Sequence, residues 1–238
     1  DAVTTLTLDP GTNVQFDGGG VLIGGSSGAP GELKTSQSAQ PVVLTSSQPL
    51  PSIGAWSGIT IYATGRATLN SMNIYWANTA LADYGRLDAA ANVTAIRANN
   101  GFYFQSTVFG GTLSPLSCKI VTTCVQSYLA TPVIRLGDMI GNSWGVYNNT
   151  IGSVVDARQN WWNDPSGPSG CSTCKGTGSR ITEGVLYADW LTSTNDDGDG
   201  VPKDSGHGYP YPCTCGITTN CDDNCPNVYN PSQKDSDC

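Results

Sequence analysis

The residues with the clearest potential for chemistry lie near the end of the 238-residue sequence, in the stretch NDDGDGVPKD. Oxygen-bearing side chains alternate there at Asn195, Asp197 and Asp199, and Gly200 follows them. In a calcium-binding loop, positions 1, 3 and 5 supply side-chain oxygens, a glycine at position 6 permits a sharp turn, and position 7, here Val201, offers its carbonyl. The stretch therefore predicts the first half of a Ca²⁺ site. The alternative is an acidic segment whose charges are simply solvated.

A second acidic stretch, DDNCPNVYNPSQKDSD, occupies residues 222–237. Its Asp-Asn-Cys-Pro start, the Asn and Gln that follow and its alternating Asp residues resemble the thrombospondin type 3 repeat. DGDGVP at residues 197–202 is similar to the preceding step of that repeat. The resemblance covers residues 195–238 and implies a segment wrapped around structural calcium. The residues indicated as ligands are Asn195, Asp197, Asp199, Val201, Asp204, Asp222, Asp223, Asn230, Asp235 and Asp237.

The acidic segment departs from the thrombospondin type 3 pattern in several places. Lys203 stands where an acid is expected, with Asp204 one place late, and an insertion rich in Pro and Cys separates Asp204 from Asp223. The second loop stops at Cys238, so either the chain is clipped there or another group completes the site. With few apolar residues to bury, the segment needs ion coordination and disulfides to offset the entropy lost when it orders.

Nine cysteines are many for this length, and they occur in close groups. Close pairs in loop-like segments predict disulfides and an oxidising compartment, hence a secreted or cell-surface protein. The thrombospondin type 3 resemblance implies a Cys225–Cys238 bond, and the odd count leaves at least one thiol free or paired with another chain. A zinc ribbon is the alternative, which the Cys-x-Cys spacing and the acidic context disfavour; it would use Cys171, Cys174, Cys213 and Cys215. The full set is Cys118, Cys124, Cys171, Cys174, Cys213, Cys215, Cys221, Cys225 and Cys238.

The net charge of −8 is concentrated at one end of the chain. Residues 1–194 carry 11 acids and 9 bases, whereas residues 195–238 carry 8 acids and 2 bases. Such a balance argues against nucleic acid and against an anionic membrane surface as partners. No apolar run is long enough to span a membrane. The sequence opens on DAVTTLTL, already in strand-like alternation, which predicts a mature chain whose export signal has been removed.

The first 194 residues contain short apolar runs, broken by Gly, Asn and Ser clusters, without a sustained helical period. Strands of three to five residues bury little alone, so they predict a solenoid with a period in the twenties, in which each turn of chain stacks on the last. Asparagines would stack inside as ladders. Segments 69–81 and 134–146 look like degenerate copies, and SPLSCKIVTTC (114–124) looks like an insertion closed by Cys118–Cys124. The predicted strands include Thr5–Leu8, Asn13–Phe16, Val21–Ile23, Val42–Thr45, Ile59–Tyr62, Ala67–Asn70, Asn73–Tyr75, Val93–Ile96, Phe102–Phe104, Thr107–Phe109 and Pro132–Leu136.

Two further stretches carry a resemblance to a known class of fold. LTLDPGTNVQFDGGGVLIG (6–24) is similar to the opening coils of bacterial cell-surface parallel β-helix proteins of the pectin-lyase-like type. DARQNWWNDPSGPSG (156–170) and EGVLYADWL (183–191) resemble the end of that class, where an Asn-Trp-Trp turn and a later Trp-Leu strand close the stack. The resemblance implies an all-β, right-handed parallel β-helix over residues 1–194, followed by the acidic segment. Trp161, Trp162 and Trp190 would form a lid; the alternative is a sugar-stacking platform.

A fold resemblance does not imply chemistry, so the activity must be argued from residues. Residues 1–194, the body of the chain, contain no His, and their carboxylates are scattered. Asp83 and Asp88, which flank Arg86, come nearest to a cluster, and we interpret them as part of a solvated turn with a surface ion pair. We therefore expect a non-catalytic extracellular structural protein, which assembles head-to-tail with copies of itself into a filament. A polysaccharide lyase or hydrolase is disfavoured. The alternative is a carbohydrate-binding or adhesion module for surface glycans, with candidate aromatics at Tyr62, Tyr75, Trp76, Tyr103 and Trp144.

Overall fold

The structure, a computed structural model, describes residues 3–25 and 30–193, which form strands and no helix. Two large sheets, of nine and seven strands, and a two-stranded sheet are parallel throughout. This all-β, parallel β-helix architecture confirms the predicted fold class for the described residues. The strands are β1 (Thr4–Leu8), β2 (Asn13–Phe16), β3 (Gly20–Ile23), β4 (Gly31–Thr35), β5 (Val42–Ser46), β6 (Gly58–Ile61), β7 (Gly65–Tyr75), β8 (Thr79–Asp83), β9 (Arg86–Ile96), β10 (Asn100–Gln105), β11 (Val108–Phe109), β12 (Leu116–Lys119), β13 (Thr123–Tyr128), β14 (Met139–Ile140), β15 (Trp144–Asn148), β16 (Val155–Asp156), β17 (Arg180–Ile181) and β18 (Val185–Leu186).

Successive coils place their strands side by side, as a solenoid requires. Strand β7 pairs with β9 and β10 pairs with β13, each one coil further along the chain. Paired positions of neighbouring coils are 20 residues apart in the sequence where Arg66 lies opposite Arg86, and 23 residues apart where Asn100 lies opposite Thr123. The predicted period in the twenties is therefore confirmed for this part of the chain.

The two segments predicted to be copies do occupy equivalent positions in different coils. Leu69 lies opposite Ala90, and isolated bridges continue the same column through Leu113 to Ile134. All four side chains are almost completely buried. The repeat is thus one of packing position rather than of residue identity, which explains why it is blurred in the sequence.

Strands β7 and β9 differ from the prediction, because each runs for eleven residues across a corner of the coil. The sequence predicts two short strands in place of β7. Ser71 and Asn92 adopt positive φ angles of 49° and 54°, so a single left-handed residue bends each strand while pairing continues on both sides. Conversely, the predicted strand Pro132–Leu136 is absent; only bridges at Val133 and Ile134 form there.

The segment predicted to be an insertion is an ordinary part of the coil. Leu116–Lys119 forms β12 and pairs with both β9 and β14, while the next strand, β13, begins at Thr123. The asparagine ladder also differs from expectation. Asn99 donates a 2.9 Å hydrogen bond to Asn78, but both side chains are exposed at a corner instead of stacking inside.

The core runs along the axis between the sheets and is built from the buried alternate residues of each strand. Leu33, Ile59, Phe104 and Val146 are among the completely buried side chains along this core. Nothing in the described part of the chain is a helix long and apolar enough to cross a membrane.

Candidate functional site

The outer surface of the seven-stranded sheet carries a row of aromatic and polar side chains. In β8, the completely buried Leu81 and Asp83 point inwards, so Ala82 between them points to the outer face, where it is 9% exposed. The register places Tyr103 of β10 beside Ala82 on one coil and beside Gln126 of β13 on the other. Because Ala82 is the small member of this row, it leaves a depression beside the Tyr103 ring.

That depression is an open cleft of about 220 Å³. The rings of Tyr84 and Tyr103 lie 5.7 Å apart between centroids, inclined by 58°. Tyr84 is 38% exposed, so one face of the pair is accessible from solvent. None of the lining residues carries a charge; they are Thr79, Ala82, Tyr84, Asn100, Tyr103 and Gln126.

The Tyr103 hydroxyl is held in place within this surface. Its O–H donates a 2.7 Å hydrogen bond to the side-chain oxygen of Gln105 on the same strand. Burial raises the pKa of the Tyr103 phenol above its ordinary value, and the neighbouring Tyr84 and Tyr128 hydroxyls add to the effect. The phenol is therefore protonated at neutral pH, and the cleft stays neutral.

A second aromatic pair lies further along the same surface, on β15. The Trp144 and Tyr147 rings meet edge to face, with centroids 5.1 Å apart. The guanidinium of Arg180 lies over the Trp144 ring, 4.2 Å from its centroid, and fixes its orientation. Since Tyr147 lies opposite Gln126, it belongs to the same outward row as Tyr103.

The aromatics predicted to bind glycans do not all share one surface. Tyr103 and Trp144 belong to the outer face just described, whereas Tyr75 ends β7 in the nine-stranded sheet, followed by Trp76. Arg97 lies over the Trp76 ring, 5.0 Å from its centroid. Tyr62 directly follows β6 and precedes the turn to β7. Sequence reasoning missed Tyr84 and Tyr147, although both directly neighbour buried strand residues, a period-2 signal that could have found them.

The carboxylates flanking Arg86 have two different environments. Arg86 and Asp88 form the expected ion pair near the surface. Asp83, however, is completely buried, so the predicted solvated turn is wrong for this residue. Its Oδ1 accepts a 2.9 Å hydrogen bond from the Gly85 backbone N–H, while Oδ2 has no hydrogen-bond partner. Burial raises the pKa of Asp83 to about 6, only partly countered by the Gly85 bond.

The predicted tryptophan lid is partly confirmed. Trp162 is completely buried, and its ring lies so close to Gly145 that an added Cβ there would be 2.8 Å away. A paired-tryptophan platform for sugars is therefore wrong. Trp190 packs against Gly167 and donates a 3.1 Å hydrogen bond to the Pro165 carbonyl, but it lies outside any strand, unlike the expected Trp-Leu strand.

The side chain of Asn160 holds the turn before Trp161 and Trp162 in place. It is completely buried, its side-chain oxygen accepts from the Gly137 backbone N–H at 2.9 Å, and its amide donates to three backbone carbonyls. The Leu191 N–H bonds in turn to the Asn160 carbonyl, which ties the last described segment to the coil.

Two disulfides are present among the described residues. Cys118 of β12 is joined to Cys124 of β13, and both are completely buried. Cys171 is joined to Cys174, so the alternative zinc ribbon, which needs both as thiolates, is wrong. The remaining cysteines of the sequence, including the Cys225–Cys238 pair implied by resemblance, lie outside the described residues.

The predicted calcium ligands, from Asn195 to Asp237, also lie outside the residues that the structure describes, so calcium coordination stays a prediction. Within residues 3–25 and 30–193, no group of three or more His, Cys, Asp or Glu side chains is arranged to hold a metal ion.

The class that the fold defines is an all-β protein built as a parallel β-helix, and no family can be assigned beyond that. No protein-family model matches the chain, and neither a curated protein nor a solved structure gives a significant match.

Proposed function

We propose that the chain is a non-catalytic structural protein of the cell surface or extracellular space, whose copies join end to end. The observation that carries this proposal is the difference between the two ends of the β-helix. Leu6 of β1 lies opposite Leu33, which is completely buried in the core, yet Leu6 itself is 45% exposed. Among the described residues, the N-terminal coil thus leaves this side of the core uncovered.

Among the described strands, those at this end have one edge without a paired neighbour. In the described strand order, β1 has a neighbour on one side only, and four of its five residues are exposed. Strand β3 has the same position in the other large sheet, with Leu22 63% exposed. An open strand edge with exposed leucines is a template for a further coil.

The other end of the β-helix has a different surface. Trp162 and Ile181 close the core there and are completely buried, and the last strands are only two residues long. Leu186 in β18 is nevertheless 47% exposed. A contact between two unlike ends does not close on itself, so it would extend into a filament.

Two ion-paired carboxylates support the non-catalytic part of the proposal. Glu32 is buried and bound by Lys34 and Arg66, each at 2.9 Å, and Asp156 is bound by Arg158 at 2.8 Å. The hydrogen bonds from Lys34 and from Arg158 are the largest causes that lower the pKa of Glu32 and of Asp156, respectively. Both carboxylates are therefore ionised and engaged in structural contacts, whereas acid–base catalysis requires a proton-exchanging group.

On the basis of the sequence, we extend the proposal to calcium binding and to an extracellular location. Asn195, Asp197 and Asp199 would begin one calcium site, and a neighbouring copy would complete the site begun by Asp235 and Asp237. The two buried or partly buried disulfides favour an oxidising, extracellular compartment.

Light scattering of the full chain at millimolar calcium tests the assembly. We expect particles larger than a monomer, and we expect Leu6→Lys and Leu186→Lys to reduce each solution to monomers, because a charge in either contact lacks a partner. Val108→Lys is the matched control, since Val108 is 53% exposed in β11, which pairs with β9 in the middle of the stack.

Mixing the two variants distinguishes unlike ends from like ends. Leu6→Lys keeps an intact C-terminal end and Leu186→Lys keeps an intact N-terminal end, so a head-to-tail contact predicts that the mixture forms dimers. A wild-type monomer under oxidising conditions at millimolar calcium would contradict the assembly. Monomers in the mixture, with assembly of the wild type, would contradict its head-to-tail geometry.

A further inference from the structure

We propose that the cleft between Tyr84 and Tyr103 on the seven-stranded sheet binds an uncharged glycan. This cleft, bounded by Ala82, Thr79 and Gln126, lies away from both ends of the β-helix. The binding site is therefore separate from the contacts of the proposed assembly.

The side chains around the cleft match the two surfaces of a sugar ring. A pyranose has an apolar face of C–H groups, which packs on aromatic rings, and a rim of hydroxyls, which need hydrogen-bond partners. Tyr84 and Tyr103 supply inclined rings 5.7 Å apart. The amides of Asn100 and Gln126 and the Thr79 hydroxyl border the same space and can both donate and accept.

The charge of the lining selects the class of ligand. A carboxylate, sulfate or phosphate group placed in the cleft would lose hydration without gaining a cationic partner, because all six lining residues are neutral. An apolar ligand would leave the amide and hydroxyl groups without partners. A neutral sugar carries no charge and brings hydroxyls that pair with these polar groups, and the cleft of about 220 Å³ is large enough to admit one unit of a longer chain.

The second aromatic pair indicates the direction of that chain. Parallel strands lie about 4.8 Å apart, so β15 lies roughly 10 Å from β10 along the helix axis. Tyr147 is in the outward row of Tyr103, with Gln126 between them, and Trp144 meets Tyr147 edge to face. A polysaccharide that crosses the strands along the axis would therefore contact Tyr103, the Gln126 amide and the second pair in order.

Affinity electrophoresis of the full chain in gels that contain a soluble polysaccharide tests the site. The probes are a β-glucan, a mannan and a xylan as neutral chains, and polygalacturonate as an anionic chain. We expect retardation by at least one neutral probe. Tyr103→Ala removes the stacking surface and Ala82→Gln fills the depression, so each should weaken retardation about tenfold.

Tyr75→Ala is the matched control, since it removes a tyrosine from the nine-stranded sheet, and it should leave retardation unchanged. Unchanged thermal melting of Ala82→Gln shows that its loss of binding is local. The site would be ruled out if no neutral probe retards the wild type, if polygalacturonate alone does so, or if Tyr103→Ala and Ala82→Gln bind as well as the wild type.

Discussion

Asp83 makes the stability of the β-helix dependent on pH, because its carboxyl group is completely buried. Its pKa is raised from 3.8 to about 6 in the folded state, so the ionised form destabilises the fold. Stability is greatest below the unfolded pKa and is lost as pH rises through the folded value. The shift lowers the free energy of unfolding by about 2 to 3 kcal/mol as pH rises from 4 to 7.

We therefore expect Asp83→Asn to lose most of this pH dependence, so that its stability relative to the wild type rises by about 2 kcal/mol between pH 4 and pH 7.5. Urea denaturation at the two pH values measures the difference. Asp88→Asn, at the more exposed neighbouring carboxylate, is the control. Parallel stability profiles for wild type and Asp83→Asn would show that Asp83 does not titrate as argued.

The burial of Asp83 could not be predicted from the local sequence. Its neighbours Tyr84, Gly85 and Arg86 have the composition of a solvated turn, and the Arg86–Asp88 ion pair was predictable from them. Whether Asp83 points inwards depends on its register against Ile61 and Phe104 in adjacent coils. That register is set by contacts 20 or more residues away, which the local pattern does not contain.

At the scale of elements, the close approach of neighbouring coils depends on glycine at the start of β6. Gly58 has a φ of +98°, and a Cβ added there would lie 1.6 Å from the Thr79 carbonyl oxygen. Gly58→Ala should thus destabilise the fold by about 3 kcal/mol or more, from strain and from displacement of β8.

Thermal or urea unfolding measures this effect, with Gly111→Ala as the control. An added Cβ at Gly111 meets nothing within 4 Å, and its φ is not in the left-handed region, so the change should be within about 0.5 kcal/mol. Equal stability of the two variants would contradict the close approach of β6 and β8.

The strands were predictable in type but not always in extent. Runs such as Asn13–Phe16 were predicted with their observed bounds, since turn residues flank them on both sides. The eleven-residue strands β7 and β9 were not, because Ser71 and Asn92 look like breaks. Each is instead a one-residue corner, held in a left-handed conformation by strand pairing before and after it.

At the scale of the whole molecule, the parallel β-helix was predictable because short strands with frequent turns can form a core only by stacking. The difference between its ends was predictable only for the C-terminal end, where the tryptophans indicate a lid. Trp162 and Ile181 are buried at that end, whereas Leu6 and Leu22 are exposed at the other. Burial at an end depends on which side chains fold back over the last coil, and Asn160 fixes that turn through buried backbone bonds.

The body and the acidic segment should respond differently to removal of calcium. The described body has a continuous apolar core and two disulfides, neither of which needs a metal. Residues 195–238 have few apolar side chains, so ion coordination must supply the free energy that orders them. With a chelator, hydrogen exchange should accelerate in peptides from residues 195–238 and stay unchanged in peptides from the body.

Asp197→Asn combined with Asp199→Asn should reproduce the effect of the chelator at millimolar calcium, because it removes two carboxylates from the same loop. Asp9→Asn combined with Asp17→Asn is the control: it removes the same two charges from exposed positions in the body, so it should leave exchange in residues 195–238 unchanged. Exchange rates in residues 195–238 that neither the chelator nor the double variant alters would show that the acidic residues are merely solvated. End-to-end assembly would then have to depend on Leu6, Leu22 and Leu186 without calcium, and light scattering with the chelator would show particles of unchanged size.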